Sequence, residues 1–417
     1  MRLRQEIAQL AKAAAIGTMM VRAGIVGANF AIMMGLAYAL GLEAFGTLVL
    51  WWSVALVAGT AFSLGGPLIL LRGMTDGRGV HFEGIVRFAV IYPAALAALA
   101  YGPLSWMWPA LPWPKLIAVA LGVNLLSCLA SVLRGLGSVL WSMVLRDIGP
   151  QLALGAALLV TVGNVQSGLS ITALTMGLVA CAAMLWVTLP PREADDAAWS
   201  KDVGSLWGAS VLGVGVAQAD LIVGGLFLPP EVFGLYAVLR RLANLIALPV
   251  TVATWVSAAP ISAAFGAGDM LALQRASAAG NRIAILSGGA IFAVTILGLA
   301  LAPLAFGPAH LHFGQGVLAL LALGGFVQVW FASGFTVATL CGFARYAALA
   351  RLAMVGLYLV AAFAFGSALT AVANAAIYVG ATSIGSVALW WALRRCVAVD
   401  TSAGSLLRGR VARWKIS

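Results

Sequence analysis

Apolar runs of roughly twenty residues follow one another along the whole chain, each long enough to cross a hydrocarbon core as a helix. Inside hydrocarbon every backbone amide and carbonyl needs a partner within the protein, which leaves only helices or closed barrels. The runs are continuous and lack strand-like alternation, so helices are expected. Twelve spans are predicted, near 16–40, 46–70, 85–104, 116–136, 146–164, 169–189, 205–228, 234–258, 282–305, 315–340, 347–366 and 370–393. Charged residues make up 9% of the 417 positions and hydrophobic residues 63%, whereas a soluble domain carries about 25% charged residues. The expected fold is all-α: a polytopic membrane protein of about 12 transmembrane helices.

Loop charges orient those spans. One side receives Arg2, Arg4 and Lys12, then Arg72, Arg78 and Arg87, Arg134 and Arg146, Arg192 and Lys201. It also receives Arg275, Arg282, Arg345, Arg351 and the tail from Arg394 to Lys415, while the other side has essentially Lys115 alone. By the positive-inside rule both termini are expected in the cytoplasm. The net charge of +11 thus reports orientation, and nucleic acid is not an expected partner. The tail "RRCVAVDTSAGSLLRGRVARWK" is expected to lie on anionic lipid of the inner leaflet. A cleaved leader ending at Ala37-Tyr-Ala39 is rejected, because the preceding apolar run is too long for a signal peptide.

A short word occurs twice. "LGLEAFG" (Leu40 to Gly46) and "LPPEVFG" (Leu228 to Gly234) both read Leu-x-x-Glu-x-Phe-Gly, and each separates two spans. "LRGLG" (Leu133 to Gly137) and "LCGFA" (Leu340 to Ala344) echo one another at the ends of spans four and ten. The longest polar break, "PPREADDAAWSKD" (Pro190 to Asp202), falls at the midpoint. These features predict a six-helix lobe over 1–189, a cytoplasmic linker over 190–203, a second lobe over 204–395 and a basic cytoplasmic tail over 396–417. Six spans is an even number, so the halves are expected to be parallel repeats.

Catalytic signatures are missing: no phosphate-binding glycine loop, no His-Glu-x-x-His, no Gly-x-Ser-x-Gly. Cys128, Cys181, Cys341 and Cys396 are scattered, and His310 with His312 supply only two ligands. No metal, no cofactor and no enzymatic activity are expected. The informative residues are charges placed in hydrocarbon, where each costs several kcal/mol unless paired or wet. Asp220 in span seven and Arg240 with Arg241 in span eight fall at one depth, about 12–15 Å from the outer surface. Gln218, Tyr236 and Asn244 thicken this polar layer, and Asn244 can share a helix face with either arginine. An Asp–Arg pair pinning the two spans and a cationic lining for an anionic cargo both fit, and one carboxylate leaves one arginine in surplus. Arg22 and Asn29, two turns apart on span one, complete the candidate set. Asn124, Gln328 and Asn374 are read as contacts between helices.

"SLGGPLILLR" (Ser63 to Arg72) and "VAQADLIVGGLFLPPEVFGLYAVLRRLANLIALPV" (Val216 to Val250) resemble segments of polysaccharide-export flippases, as does "LRGLG". The resemblance is to the multidrug/oligosaccharidyl-lipid/polysaccharide (MOP) superfamily, in its Wzx-like branch. It implies two six-helix lobes around a central cavity and alternating access. The implied cargo is an undecaprenyl-pyrophosphate-linked oligosaccharide, an O-antigen or exopolysaccharide repeat unit, and polysaccharide polymerase or export machinery are implied partners. Asp220, Arg240 and Arg241 are the positions that carry over. Span one has no acidic residue, unlike many members of the multidrug branch. A small-molecule exporter and a membrane glycan polymerase or ligase are the alternative functions.

Overall fold

The computed structural model describes residues 2–75, 82–186, 203–306 and 312–406. The described residues form helices and no strand. In chain order these are α1 (Arg2–Phe62), α2 (Gly66–Thr75), α3 (Phe82–Met107), α4 (Trp113–Gly135), α5 (Val139–Val160), α6 (Val165–Trp186) and α7 (Val203–Phe227). They continue as α8 (Pro230–Gly266), α9 (Met270–Phe306), α10 (His312–Trp330), α11 (Gly334–Leu340), α12 (Ala344–Phe365) and α13 (Ala371–Cys396). Ten described helices are long and apolar enough to cross a membrane, eleven with α10 and α11 taken as one span bent by 42°. The first of these, within α1, is two helices joined at a kink at Gly41, and the count is close to the twelve spans predicted.

The repeated word marks a break in both places. Gly41 sits at φ 76°, ψ 164°, a conformation essentially reserved for glycine, and there α1 kinks between two helices. In the second copy α7 ends at Phe227, Pro229 is extended at φ −55°, ψ 140°, and Pro230 opens α8, where a missing amide costs nothing. The phenylalanines of the two copies, Phe45 and Phe233, are 0% and 1% exposed. The second echo is shared as a turn but shifted by two residues. Gly137 and Gly342 both take positive φ, and the closing bonds run from Ser138 N to Leu133 O and from Phe343 N to Ala338 O, each 2.8 Å.

Two compact units divide the chain, Met1–Gln218 and Ala219–Ser417. The boundary falls inside α7, and the midpoint linker lies outside the described residues. In the first unit α4 is the central helix, buried along most of its length. Asn124 on α4 donates to Phe88 O and Ala89 O at 3.3 and 3.1 Å, within a π turn of α3 that loosens the normal ladder. Arg146 and Asp147 pair at 2.8 Å. The sequence puts them at the edge of span five, but they lie two turns inside α5, in a second π turn. In the second unit α8 is the long spine, running uninterrupted through Pro249 and Pro260 and packing on α9 and α10.

The tail differs from expectation over its first ten residues. Val397, Val399, Thr401, Ser402 and Ala403 are buried against the second unit rather than laid on a surface. Short apolar and hydroxyl side chains here match a polar slot in the unit, which the arginines on either side conceal in the sequence. Residues 407–417, with the remaining basic charges, lie outside the described residues.

Candidate functional site: a buried ion-pair network in the second unit

Asp220 sits two turns before the end of α7, and Arg240 nearly three turns into α8. At 1.5 Å per residue both stand about 10–15 Å from the hinge that joins the helices. The antiparallel hairpin brings them together: Arg240 Nε donates to Asp220 Oδ2 at 2.8 Å, with side chains 8% and 0% exposed. Tyr236, one turn before Arg240, donates its hydroxyl to the same oxygen at 2.8 Å. Arg240 Nη1 donates to Asn244 Oδ1, one turn further on. Arg240 Nη2 donates to the Tyr378 hydroxyl of α13 at 2.5 Å, and the guanidinium carbon lies 4.5 Å from the centre of that ring.

A second layer fixes the carboxylate through its backbone. Asn374 Nδ2 donates to Asp220 O at 3.1 Å, and Asn374 Oδ1 accepts from the Tyr358 hydroxyl of α12 at 2.6 Å. The rings of Tyr358 and Tyr378 meet edge to face at 6.1 Å. Four helices therefore contribute to one network around a single ion pair. The charges compensate inside a low-dielectric interior, and every nitrogen of Arg240 has a partner, the condition under which a buried pair is tolerated. One acceptor is left over: Asp220 Oδ1 is buried with no hydrogen-bond partner among the described residues.

The surplus cation is Arg241. It is half-buried and has no hydrogen-bond or ion-pair partner among the described residues. It shares a side of α8 with Asn244 and Leu245, three and four residues on, of which Asn244 is exposed. Asp220 pairs with Arg240, and Asn244 serves Arg240 as well. Gln218 is half-buried and does not join the network.

The other candidates belong to the first unit. Asn29 donates to the backbone oxygen of Asp147 at 3.3 Å, tying α1 to α5, and its own Oδ1 is buried without a partner among the described residues. Arg22 lies in α1, with its side chain outside the described residues, and His310 is outside them altogether. No group of three metal-ligating side chains occurs among the described residues. The sequence reading missed Tyr358 and Tyr378. A signal was present, since Tyr378 follows Asn374 by four residues and the two share a face of α13.

No family model matches the chain, and no curated protein matches it by sequence. Solved structures do match. The MATE multidrug transporter DinF-BH, solved as a complex, aligns with a TM-score of 0.65 at 14% identity over 93% of this chain and 95% of that one. A MOP superfamily transporter from Pyrococcus furiosus, described as having a binding pocket of reverse polarity, aligns with a TM-score of 0.64 at 14% identity over 92% and 94%. An inward-facing multidrug resistance MATE family transporter gives 0.60 at 12% identity over 91% and 98%. At these identities the likeness is one of fold. The chain is an all-α polytopic membrane protein with the fold of the MATE transporters of the MOP superfamily.

Proposed function

We propose that the protein is a transporter that carries an anionic, lipid-linked solute across the bacterial inner membrane by alternating access, both termini being cytoplasmic. The cargo in this reading is an undecaprenyl-pyrophosphate-linked oligosaccharide. The observation that carries it is the division of labour between adjacent arginines: Arg240 is saturated by Asp220, Asn244 and Tyr378, and Arg241 has no partner among the described residues. A half-buried guanidinium without a counter-ion is costly in an apolar setting, and a pyrophosphate supplies the paired oxygens that its fork matches. Asp220, Tyr236 and Arg240 then hold the helix pair that presents Arg241. Anionic lipids and the polymerase or export machinery of the same glycan are the partners in this reading.

The test is export at matched protein level. Arg241→Ala is expected to leave the carrier-linked glycan on the inner face, and Arg241→Lys to restore part of the flux. Normal export by Arg241→Ala removes the assigned role. Normal export without the protein, and no trapped intermediate, removes the cargo.

The fold likeness to MATE multidrug transporters favours a second reading as a small-molecule exporter. The free oxygen of Asp220 gives that reading an acceptor for a cationic guest. Drug sensitivity in a host stripped of its own pumps separates the two: protection that depends on Asp220 and not on Arg241 selects the exporter.

A further inference from the structure

Beyond the ion-pair network, the second unit holds another built polar site, and its occupant is the chain itself. After α13 the backbone turns at Ala398, whose φ of +56° costs an alanine about 1–2 kcal/mol. It then runs without regular structure through Val399–Ser402, of which Val399, Thr401 and Ser402 are buried and Asp400 is half-buried. Trp390, which binds this segment, lies about 9 Å before the end of α13, and Asn281 lies about 16 Å into α9. Buried irregular backbone needs partners for its polar groups within the protein.

They are satisfied by side chains placed for it. Gln274 makes a two-point clamp on Asp400, donating Nε2 to its carbonyl at 3.0 Å and accepting its amide at 2.7 Å. Asn281 Nδ2 donates to Thr401 O at 3.0 Å and Ser402 O at 3.1 Å. Trp390 Nε1 donates to Asp400 Oδ1 at 2.9 Å. The fourth contact reaches the bend between α10 and α11. Ser333 N, freed by the break in the helix, donates to Asn281 Oδ1 at 3.0 Å, and Ser333 Oγ donates to Thr401 O at 3.3 Å. Asn281, 0% exposed, thus bonds the strap through one end of its amide and the broken span through the other.

We propose that this slot is a receptor for irregular peptide backbone, filled in cis by Val399–Ser402, and that the seated segment is a latch that holds the α10–α11 span bent. Closing the break into regular helix would take Ser333 N to the carbonyl four residues earlier and strip Asn281 of its acceptor role. The same movement withdraws Ser333 Oγ from Thr401. Bending and seating therefore share their hydrogen bonds, and neither changes without the other.

Cys341 is a native reporter, 1% exposed and packed in one cluster with Val397 and Val399. With Cys128, Cys181 and Cys396 replaced by serine, the rate of Cys341 labelling by a membrane-permeant maleimide is measured in detergent. A chain stopped after Leu406 is expected to label at the parent rate. A chain stopped after Cys396 is expected to label at least tenfold faster, and a synthetic peptide of residues 397–406 to slow it again. In full-length protein, Asn281→Ala and Gln274→Ala should each raise the rate severalfold, which keeps the test open if the shorter chain does not fold. Ser333→Ala keeps the backbone donor to Asn281 and removes the hydroxyl's bond to Thr401 O, so it should also raise the rate, by less than Asn281→Ala does. Parent-rate labelling in Asn281→Ala and Gln274→Ala overturns the latch, and parent-rate labelling in Ser333→Ala overturns its link to the bend.

Discussion

Counted from the repeated hinge, the two halves place different chemistry at the same positions. Asp220 stands where the first half has Ile32, Tyr236 where it has Leu48, Arg240 where it has Trp52, and Asn244 where it has Leu56. Leu48 and Trp52 are 0% and 1% exposed, as deeply buried as Tyr236 at 0% and Arg240 at 6%. The first half thus buries apolar side chains at positions where the second buries an ion pair with satellite hydrogen bonds. Packing is insensitive to how neighbours rotate by a few degrees, whereas the pair needs Asp220, Tyr236, Arg240 and Tyr378 in register at once. A buried pair brings no clear stability advantage over well-packed apolar residues of similar volume. Its presence in one half alone separates a stretch that only folds from a stretch that also carries charge.

Exchanging residues between the halves tests this most severely. Trp52→Arg puts the second half's cation in the first, with no carboxylate to meet it, and an unpaired buried charge belongs to the class of changes costing more than about 4 kcal/mol. No monodisperse peak is expected in fluorescence-detected size exclusion. In the second half Arg240→Met strands the Asp220 carboxylate, at about 3–5 kcal/mol. The thermal midpoint in detergent should fall, and recover most of the loss when Asp220→Ile is added. A single variant as stable as the parent would mean that the pair is not the fastening of that hairpin.

The hinges themselves come next in size. Gly41→Ala forces a Cβ into a backbone region that is essentially glycine's own, at about 1–3 kcal/mol. Pro229→Ala keeps an extended conformation any residue adopts and loses only the ring's restriction of the unfolded chain, less than about 1 kcal/mol. Denaturation midpoints of the two variants should therefore rank Gly41→Ala well below Pro229→Ala. Equal shifts would show that both breaks are set by tertiary contacts rather than by local backbone.

The smallest effect concerns the strap. Burial pushes the Asp400 carboxyl up, but hydrogen bonds from Ser402 and Trp390, with Arg394 nearby, hold it below its ordinary value. A depressed carboxyl stabilises the fold fully above its unfolded value and ceases to do so as pH falls through the lowered one. The stability gap between parent and Asp400→Asn should thus be flat above about pH 5 and shrink below about pH 4. A gap that changes near neutrality would place the titrating group elsewhere.

Much of this molecule was settled by the sequence alone. Hydrophobicity adds up along the chain regardless of neighbours, so the spans could be counted and the Leu-x-x-Glu-x-Phe-Gly words located as breaks before any coordinates. The similar distance of Asp220 and Arg240 from the hinge followed as well, because rise per residue is constant in a helix. Which arginine meets Asp220 was not legible, since that depends on the rotation of α7 against α8 and on Tyr378, which lies 138 residues beyond Arg240. Nor was the buried strap: Val399–Ser402 is neither apolar nor periodic enough to signal burial, and its stability comes from Gln274, Asn281 and Ser333 converging from separate helices. Local composition decided which segments enter the membrane, and three-dimensional convergence decided which of their polar groups meet.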